Sequence, residues 1–212
     1  MMKIAFQSYE IELTNDTTYK PESTDNKLGY DLVYLDKEAS EYQSSNHAIK
    51  IFQGGQLIRS AIVCAVGGST TIHNNSAVVI DKDLYVACAD KVFSLSLPDL
   101  NLRWYIQVDQ ATCFGIYKAS DGLFTHREIS VTRLATEGQV IWQTGLRDII
   151  VTVEGDNNSF IMHEGYIELE DFIRNKYKLD FNGKFLEEKL SDTQIHYDQI
   201  YKEGRKKWWK IW

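Results

Sequence analysis

Two neighbouring stretches repeat one layout: Asp83–Gln107, DLYVACADKVFSLSLPDLNLRWYIQ, and Cys113–Thr144, CFGIYKASDGLFTHREISVTRLATEGQVIWQT. Each has a short apolar strand, a polar turn, a second strand, a tight turn and a third strand that carries a tryptophan. The two tryptophans, Trp104 and Trp142, are 38 residues apart. A repeat of this length is typical of one small antiparallel sheet, the unit that is stacked in propellers and arrays.

Weaker copies flank this pair. On the C-terminal side, Ile149–Val153 and Phe160–Met162 are predicted as the first two strands of a third copy. Its last strands lie in KLDFNGKFL (residues 178–186), where Asn182-Gly183 is the turn and Leu186 takes the tryptophan position. On the N-terminal side, AIKIFQGGQLI (residues 48–58) reads as a hairpin with a Gly-Gly turn and resembles the tail of a degenerate earlier copy.

A change of period marks the C-terminal end. Ser191 and Gln194 form a capping box that starts a helix. Ile195, Tyr197, Ile200 and Tyr201 give this helix one apolar side, and we expect it to lie on the sheets through Ile195, Ile200 and Tyr201. Gly204 is a plausible stop, so the predicted helix covers residues 191–203.

These patterns predict an all-β protein of propeller-like antiparallel repeat sheets. About three copies are visible, so the array is either incomplete or four-bladed, with a diverged N-terminal blade, and a short C-terminal helix follows. We expect a single domain over residues 1–212. Its parts are a diverged N-terminal β region (1–66), a repeat region (77–186), the helix (191–203) and a basic, tryptophan-rich tail (205–212).

The turn segments LSLPDLNLRW, RLATEGQVIW and KLDFNGKFL resemble the repeats of quinoprotein-type (PQQ-like) β-propellers. The resemblance covers roughly residues 77–186 and implies architecture rather than activity. Quinoprotein dehydrogenases bind a metal and a quinone with carboxylates and vicinal cysteines. No Cys-Cys pair occurs in this chain, so no cofactor is carried over. Residues 67–142 are also similar to small bacterial cytoplasmic proteins with a WATCFG-like segment, here DQATCFG (residues 109–115), some of which are suspected immunity or partner-binding proteins.

Composition limits the partners and the compartment. The formal net charge is −7, which argues against nucleic acid because phosphate binding needs a basic face. The three cysteines, Cys64, Cys88 and Cys113, lie in or beside apolar strands, and an odd number does not suit a disulfide framework. The N-terminal sequence has no apolar signal region, and no run approaches the roughly 20 apolar residues of a membrane span. We therefore expect a cytoplasmic protein with reduced cysteines.

One loop is a candidate ligand site. GGSTTIHNNS (residues 67–76) is the densest cluster of small polar residues, and its backbone N–H groups could form an anion-binding nest. It lacks the lysine and the following helix of a phosphate loop, and a connecting loop is the more common use of such a sequence. The candidate residues are Gly67, Gly68, Ser69, Thr70, His73 and Asn74.

The tail is the second candidate site. Its tryptophans alternate with basic residues, a composition that suits a membrane interface or a protein groove. The alternative is that the tryptophans cover a sheet edge. The candidate contact residues are Lys206, Lys207, Trp208, Trp209, Lys210 and Trp212.

No catalytic, cofactor-binding or metal-binding residue is predicted. Cys113, His126 and Asp109 could form a nucleophile, base and orienting acid, but a buried thiol beside a surface histidine is the more common arrangement. His73, His126 and His163 recur about once per repeat without the short spacing of metal ligands. Glu168 and Glu170 share one strand face, which favours a solvated edge over an acid–base pair.

The leading functional hypothesis is a non-catalytic protein-binding module of the bacterial cytoplasm, of the immunity type that the resemblance implies. Two other classes stay open. One is a peripheral membrane or scaffold protein that uses the tail. The other is an enzyme with an unrecognised site.

Overall fold

The computed structural model describes residues 1–151 and 159–208, apart from the side chains of residues 200 and 202–208. The chain divides into two compact units, Met1–Ile141 and Trp142–Trp212. Both are built mainly from strands in four- and five-stranded sheets, with a helix at the C-terminal end. The predicted all-β class with propeller-like blades is confirmed.

The described residues form four sheets. The first has the order β1-β2-β4-β5-β3, with β1 (Met2–Phe6), β2 (Tyr9–Asn15), β3 (Leu32–Leu35), β4 (Ser45–Gln53) and β5 (Gln56–Ala65). The second is β6 (Ala77–Ile80), β7 (Asp83–Cys88), β8 (Lys91–Ser96) and β9 (Leu102–Gln107) in chain order. The third is β10 (Cys113–Ala119), β11 (Gly122–Arg127), β12 (Ser130–Leu134) and β13 (Val140–Gly145). The fourth is β14 (Phe160–Met162), β15 (Tyr166–Glu170), β16 (Lys176–Asp180) and β17 (Phe185–Lys189).

The N-terminal region supplies a diverged copy of the repeat, as one of the two alternatives predicted. Strands β1, β2, β4 and β5 pair antiparallel in the same up-and-down order as the later sheets. Strand β3, from the segment between β2 and β4, adds a fifth strand parallel to β5. The predicted Gly-Gly hairpin joins β4 and β5, and Gly54 and Gly55 both have positive φ (56° and 79°), as a two-residue hairpin turn requires.

A register shift that recurs in three sheets shows which residues occupy equivalent positions. In three sheets, the ladder after the turn between the third and fourth blade strands shifts register by one residue. The pairs before the shift are Phe52–Leu57, Leu95–Leu102 and Leu179–Phe185. The pairs after it are Ile51–Arg59, Ser94–Trp104 and Lys178–Glu187. The tryptophan position of the fourth sheet is therefore Glu187. The prediction of Leu186 was wrong, because a slip of one residue moves a side chain to the other face.

The fourth sheet also starts later than predicted. Its first strand is β14, which pairs with β15, whereas Ile149–Val151 lies outside the strands. The rest of the predicted first strand, residues 152–153, falls outside the described part of the chain. The prediction of a strand at 149–151 is wrong because periodicity does not separate a short strand from a packed loop, and Ile150 is fully buried.

Apolar side chains fill the spaces between successive sheets of the first unit. Ile11, Ile49 and Ile51 of the first sheet form one buried cluster with Leu84 and Leu95 of the second. A second cluster joins the other face of the second sheet to the third, and it contains Tyr85, Val92, Ile116, Leu123 and Leu134. The strands of the second sheet alternate their side chains between these two clusters, which is why its central strands are apolar on both faces.

The polar segment between β2 and β4 is partly packed rather than a free solvated loop. Tyr19 and Ala39 from this segment form a small buried cluster with Ile62 and Cys64 of β5. Asp16 fixes the start of the segment, because its carboxylate accepts a hydrogen bond from the Tyr30 hydroxyl at 2.8 Å. The insertion therefore covers part of the first sheet on the side that is turned away from the second sheet.

The C-terminal helix, α1 (Asp192–Trp208), starts as predicted but ends later. The Ser191 Oγ accepts the N–H of Gln194 at 3.1 Å, which is the capping bond. The helix continues through Gly204, because one glycine costs only about 1 kcal/mol when its neighbours favour helix. On the side that was expected to pack on the sheets, Ile195 and Tyr201 are 42% and 63% exposed, and the side chain of Ile200 lies outside the described residues.

Candidate functional site

Trp104 covers the turn of the following sheet. Its indole lies against Gly138, where an added Cβ would stand 2.9 Å from the ring. The ring Nε1–H donates to the Thr136 carbonyl at 3.0 Å. Gly138 has a φ of +88°, so both the turn and the close approach of the ring require glycine here.

Trp142 makes the same contact within the second unit. An added Cβ on Gly183 would stand 2.7 Å from its indole, and Nε1–H donates to the Phe181 carbonyl at 3.0 Å. The predicted equivalence of the two tryptophans is confirmed. Both are half-buried.

In the first sheet, Arg59 takes the tryptophan position. Its Nε–H donates to the Asp99 carbonyl, in the turn of the second sheet, at 3.0 Å. Tyr34 of β3 reinforces this contact: its hydroxyl donates to the Leu100 carbonyl at 2.9 Å and accepts the Leu102 N–H at 3.1 Å. A side-chain N–H that donates to a turn carbonyl is thus a recurrent contact. Each such hydrogen bond contributes about 1 kcal/mol to the stability of the fold beyond apolar burial.

The side of the first sheet that is turned away from the second sheet, here called the outward face, departs from the repeat. Glu10 and Phe52 face each other across β2 and β4 on this side. The equivalent facing pairs in the other sheets are Leu84–Leu95, Leu123–Leu134 and Ile167–Leu179, and all six side chains are 0% exposed. In contrast, the Glu10 side chain is 53% exposed and Phe52 is only partly buried.

A cavity of about 550 Å³ opens on the outward face. Its lining residues are Gln7, Ser8, Tyr9, Glu10, Glu12, Phe52, Gly54 and Gly55. Gly55 lies in the turn that corresponds to those of Gly138 and Gly183, with φ +79°. No atom of the described residues comes within 4 Å of a Cβ placed on Gly55. The turn that elsewhere carries an indole is therefore open in the first sheet.

The charges of the outward face are paired but solvated. Lys3 Nζ lies 3.0 Å from Glu10 and 2.6 Å from Glu12. Its hydrogen bonds to Glu12 and then to Glu10 raise the pKa of Lys3 above the ordinary value. Such exposed pairs set the local charge of a surface more than they stabilise the fold.

A buried cluster of the same composition lies where the first and second sheets meet. Lys91 Nζ is 2.6 Å from Asp90 and 3.0 Å from Asp36. Burial works against ionisation of Asp36, but N–H donors from Glu38 and Val66, together with Lys91, lower its pKa. Burial raises the pKa of Asp90, while Lys91 works in the opposite direction. A cavity of about 360 Å³ adjoins this cluster, and its main polar groups already bind one another, so the cluster acts as a structural tie between the sheets.

The predicted ligand loop connects the first and second sheets. The Gly68 N–H donates to the Ala111 carbonyl at 2.7 Å. The Thr70 N–H donates to Ser45 Oγ at 2.8 Å, and Thr70 Oγ1 accepts the Ala89 N–H at 3.0 Å.

The rest of this loop is bound in the same way. The His73 N–H donates to Ser76 Oγ at 2.9 Å, and the His73 and Asn74 side chains are exposed, as is Ser69. A Cβ on Gly67 would stand 2.8 Å from the Ala111 carbonyl oxygen. Several N–H groups that would line an anion nest thus already have protein acceptors, and ligand binding by the loop stays a prediction.

The candidate catalytic residues contact other groups, and His126, which was expected at the surface, is buried. Asp109 binds Arg127 Nε at 2.9 Å, and His126 packs edge-on against Phe114. Cys113 is buried, and this burial raises its pKa to about 12, which suppresses the nucleophilic thiolate.

The other two cysteines behave alike. Cys64 and Cys88 are buried free thiols, and burial raises the pKa of Cys64 to about 12 and that of Cys88 well above its ordinary value. Within residues 1–151 and 159–208, no group of three or more His, Cys, Asp or Glu side chains is placed to hold a metal ion. The prediction of a solvated edge for Glu168 and Glu170 is wrong, because β15 lies between β14 and β16 and both side chains are half-buried. Glu168 lies 3.3 Å from His163, and Glu170 lies 3.3 Å from Lys176.

The tail residues are only partly covered by the structure. Lys206, Lys207 and Trp208 belong to the backbone of α1, whereas Trp209, Lys210 and Trp212 lie outside the described residues. Within the described part of the chain, no helix has the length and apolar character needed to cross a membrane.

Comparison with known proteins supports the fold alone. No family model and no curated protein matches the sequence. Among solved structures, the computationally designed Ika8 protein is similar with a TM-score of 0.50 and 11% identity, covering 68% of this chain and 45% of that one. BamB from Moraxella catarrhalis, a PQQ-like β-propeller protein, has a TM-score of 0.46 and 12% identity over 68% of this chain and 44% of its own. This chain therefore spans less than half the length of these two structures, and the likeness is one of propeller-type sheets.

Proposed function

We propose that this chain is a non-catalytic protein-binding module that docks a partner protein on the outward face of its first sheet. The supporting observation is the departure of that face from the repeat. Positions that carry fully buried apolar pairs in three sheets carry Glu10 and Phe52 in the first, beside an open cavity.

A polar cap is the competing explanation. Terminal units of repeat arrays need a solvated outer face, and Glu10, Glu12 and Lys50 serve that need. A cap does not require the aromatic residue Phe52 at a cavity beside an open glycine turn. Aromatic side chains beside solvated charge are enriched in protein interfaces, which favours a docking face.

The narrower form of this proposal is an immunity-type protein of the bacterial cytoplasm, whose partner is a toxin. It rests on the resemblance of residues 67–142 to small bacterial proteins of that kind. An acidic chain with net charge −7 suits a basic partner, because charge complementarity accelerates association.

Site-specific photo-crosslinking in the native cell tests the docking face. Photoreactive benzoylphenylalanine replaces Phe52 in one variant and Tyr42, which is 65% exposed, in the control. We expect a discrete protein adduct from position 52 that disappears when Glu10→Lys is added and is absent from position 42. No adduct at position 52, or the same adducts at both positions, would overturn the proposal.

A further inference from the structure

The geometry points to a tryptophan with neighbouring lysine or arginine residues as the group that the partner places in the cavity of the outward face. This inference rests on the proposed docking function and names the chemistry of the partner. It is drawn from the way in which the chain itself fills the two equivalent turns.

The first step is the shape of the turn. Gly138 and Gly183 each lie under an indole, with an added Cβ only 2.9 Å and 2.7 Å from the ring. Gly55 has the same left-handed backbone and, among the described residues, nothing above it. A flat aromatic ring can approach such a turn because glycine has no Cβ. The turn of the first sheet is one residue shorter than the other two, but like them it presents a left-handed glycine, and the space above it is open to a flat ring.

The second step is the hydrogen bond. Both indoles donate Nε1–H to a turn carbonyl at 3.0 Å, and Arg59 donates Nε–H to the corresponding turn of the second sheet. The carbonyls of the Gly54–Gly55 turn are the matching acceptors in the first sheet. Phenylalanine and leucine would fill space but could not donate, so the turn selects an indole over other apolar groups.

The third step is the lining of the cavity. Phe52 supplies aromatic surface, and the cavity of about 550 Å³ lies within the ~300–1,000 Å³ range of small-molecule pockets, which is enough room for one indole side chain. Glu10 and Glu12 are the charged residues of the lining, and Lys3 offsets one of their two charges. A basic residue next to the tryptophan gains a carboxylate and an aromatic face, whereas an acidic one is repelled.

A peptide titration tests this inference on the full-length chain. The probe is acetyl-Lys-Trp-Lys-amide, and the matched peptides replace tryptophan by phenylalanine or both lysines by glutamate. Amide NMR signals of the protein report where each peptide binds. We expect the probe to shift the Gly54 and Gly55 amides saturably, with at least tenfold weaker binding of both matched peptides. Glu10→Lys should weaken the probe at least tenfold, and the charge-matched control Glu41→Lys should not.

The outcomes separate this inference from the function on which it rests. Equal binding of the tryptophan and phenylalanine peptides, or shifts confined to other residues, would overturn the inference. If photo-crosslinking yields the adduct at position 52 while the peptides fail, the docking function stands and the tryptophan assignment falls. An unchanged melting profile of Glu10→Lys ensures that lost binding does not reflect unfolding.

Discussion

The two faces of the first sheet come from the same strands but differ in how far their side chains are buried. On the inward side, Ile11, Ile49 and Ile51 are fully buried against the second sheet. On the outward face, the alternating residues Glu10, Lys50 and Phe52 are partly or largely exposed. Because neighbours on a strand point to opposite sides, one β-strand can contribute both to the core and to a solvated surface. The β2–β4 pairing is common to both faces, so the difference lies in which side chains the second sheet covers.

The largest expected change is in unfolding free energy, and it distinguishes the buried Lys91 cluster from the solvated Lys3 cluster. Lys91→Ala leaves Asp36 and Asp90 buried without their cation and should lower the free energy of unfolding by about 3–5 kcal/mol. Lys3→Ala removes an equivalent cation from the solvated outward face and should leave the denaturation midpoint unchanged. Urea unfolding of both variants measures this. Equal losses would mean that the outward face is packed like the inward one.

The next effect concerns pH and the inward face. His47 is 1% exposed, its Nε2 lies 3.1 Å from Thr70 Oγ1, and burial lowers its pKa to about 4. The folded chain therefore keeps His47 neutral, while the unfolded chain takes up a proton below its pKa of about 6.5. Stability is fully present above pH 6.5 and falls as the pH drops towards 4, by roughly 3 kcal/mol in total.

His47→Gln checks this prediction. The difference in unfolding free energy between wild type and variant should shrink from pH 7 to pH 4.5. A parallel pH dependence of wild type and His47→Gln would contradict the neutral, buried state of His47.

A smaller effect separates the covered turn from the open one. Gly55→Ala and Gly138→Ala both place a side chain at positive φ, which costs about 1–2 kcal/mol. Only Gly138→Ala also pushes a Cβ into the Trp104 ring, which adds about 1–3 kcal/mol of overpacking. Thermal or urea unfolding of the pair isolates this difference. If both variants lose the same stability, the turn of Gly55 is covered in the folded chain.

The smallest effect is kinetic. Cys64, Cys88 and Cys113 are buried, and their raised pKa values suppress the thiolate that reacts with maleimides or aromatic disulfides. All three should label slowly in the native chain at pH 7.5 and rapidly in denaturant. Fast labelling of Cys113 in the native state would instead support a reactive site and revive the enzyme hypothesis.

The sequence predicted what depends on repetition. The 38-residue spacing of Trp104 and Trp142 indicated equivalent sheets, and the Gly-Gly pair at residues 54–55 indicated a hairpin. These signals succeed because turn chemistry and strand alternation are local. The helix start at Ser191 was also predictable from its cap, whereas the end was not, since Gly204 lowers helix stability without forbidding it.

The outward face escaped prediction because it depends on register between strands far apart in sequence. Glu10 and Phe52 are 42 residues apart, and only the β2–β4 pairing brings them together. Arg59 replaced a tryptophan at an equivalent position, so a search for the aromatic residue could not find it. If the first hairpin is aligned on the later repeats at the register shift after each turn, both the Glu10–Phe52 pair and the position of Arg59 become apparent.

The central claim is that equivalent positions hold the fold together inside the array and bind a partner on the outward face. The most direct measurement compares Leu95→Ala with Phe52→Ala, which occupy the same place in the repeat. We expect Leu95→Ala to lower the free energy of unfolding by about 2–5 kcal/mol. Phe52→Ala should cost less than about 1 kcal/mol and should abolish saturable binding of acetyl-Lys-Trp-Lys-amide. A loss of stability in Phe52→Ala as large as that in Leu95→Ala, or binding that survives the loss of Phe52, would contradict the account.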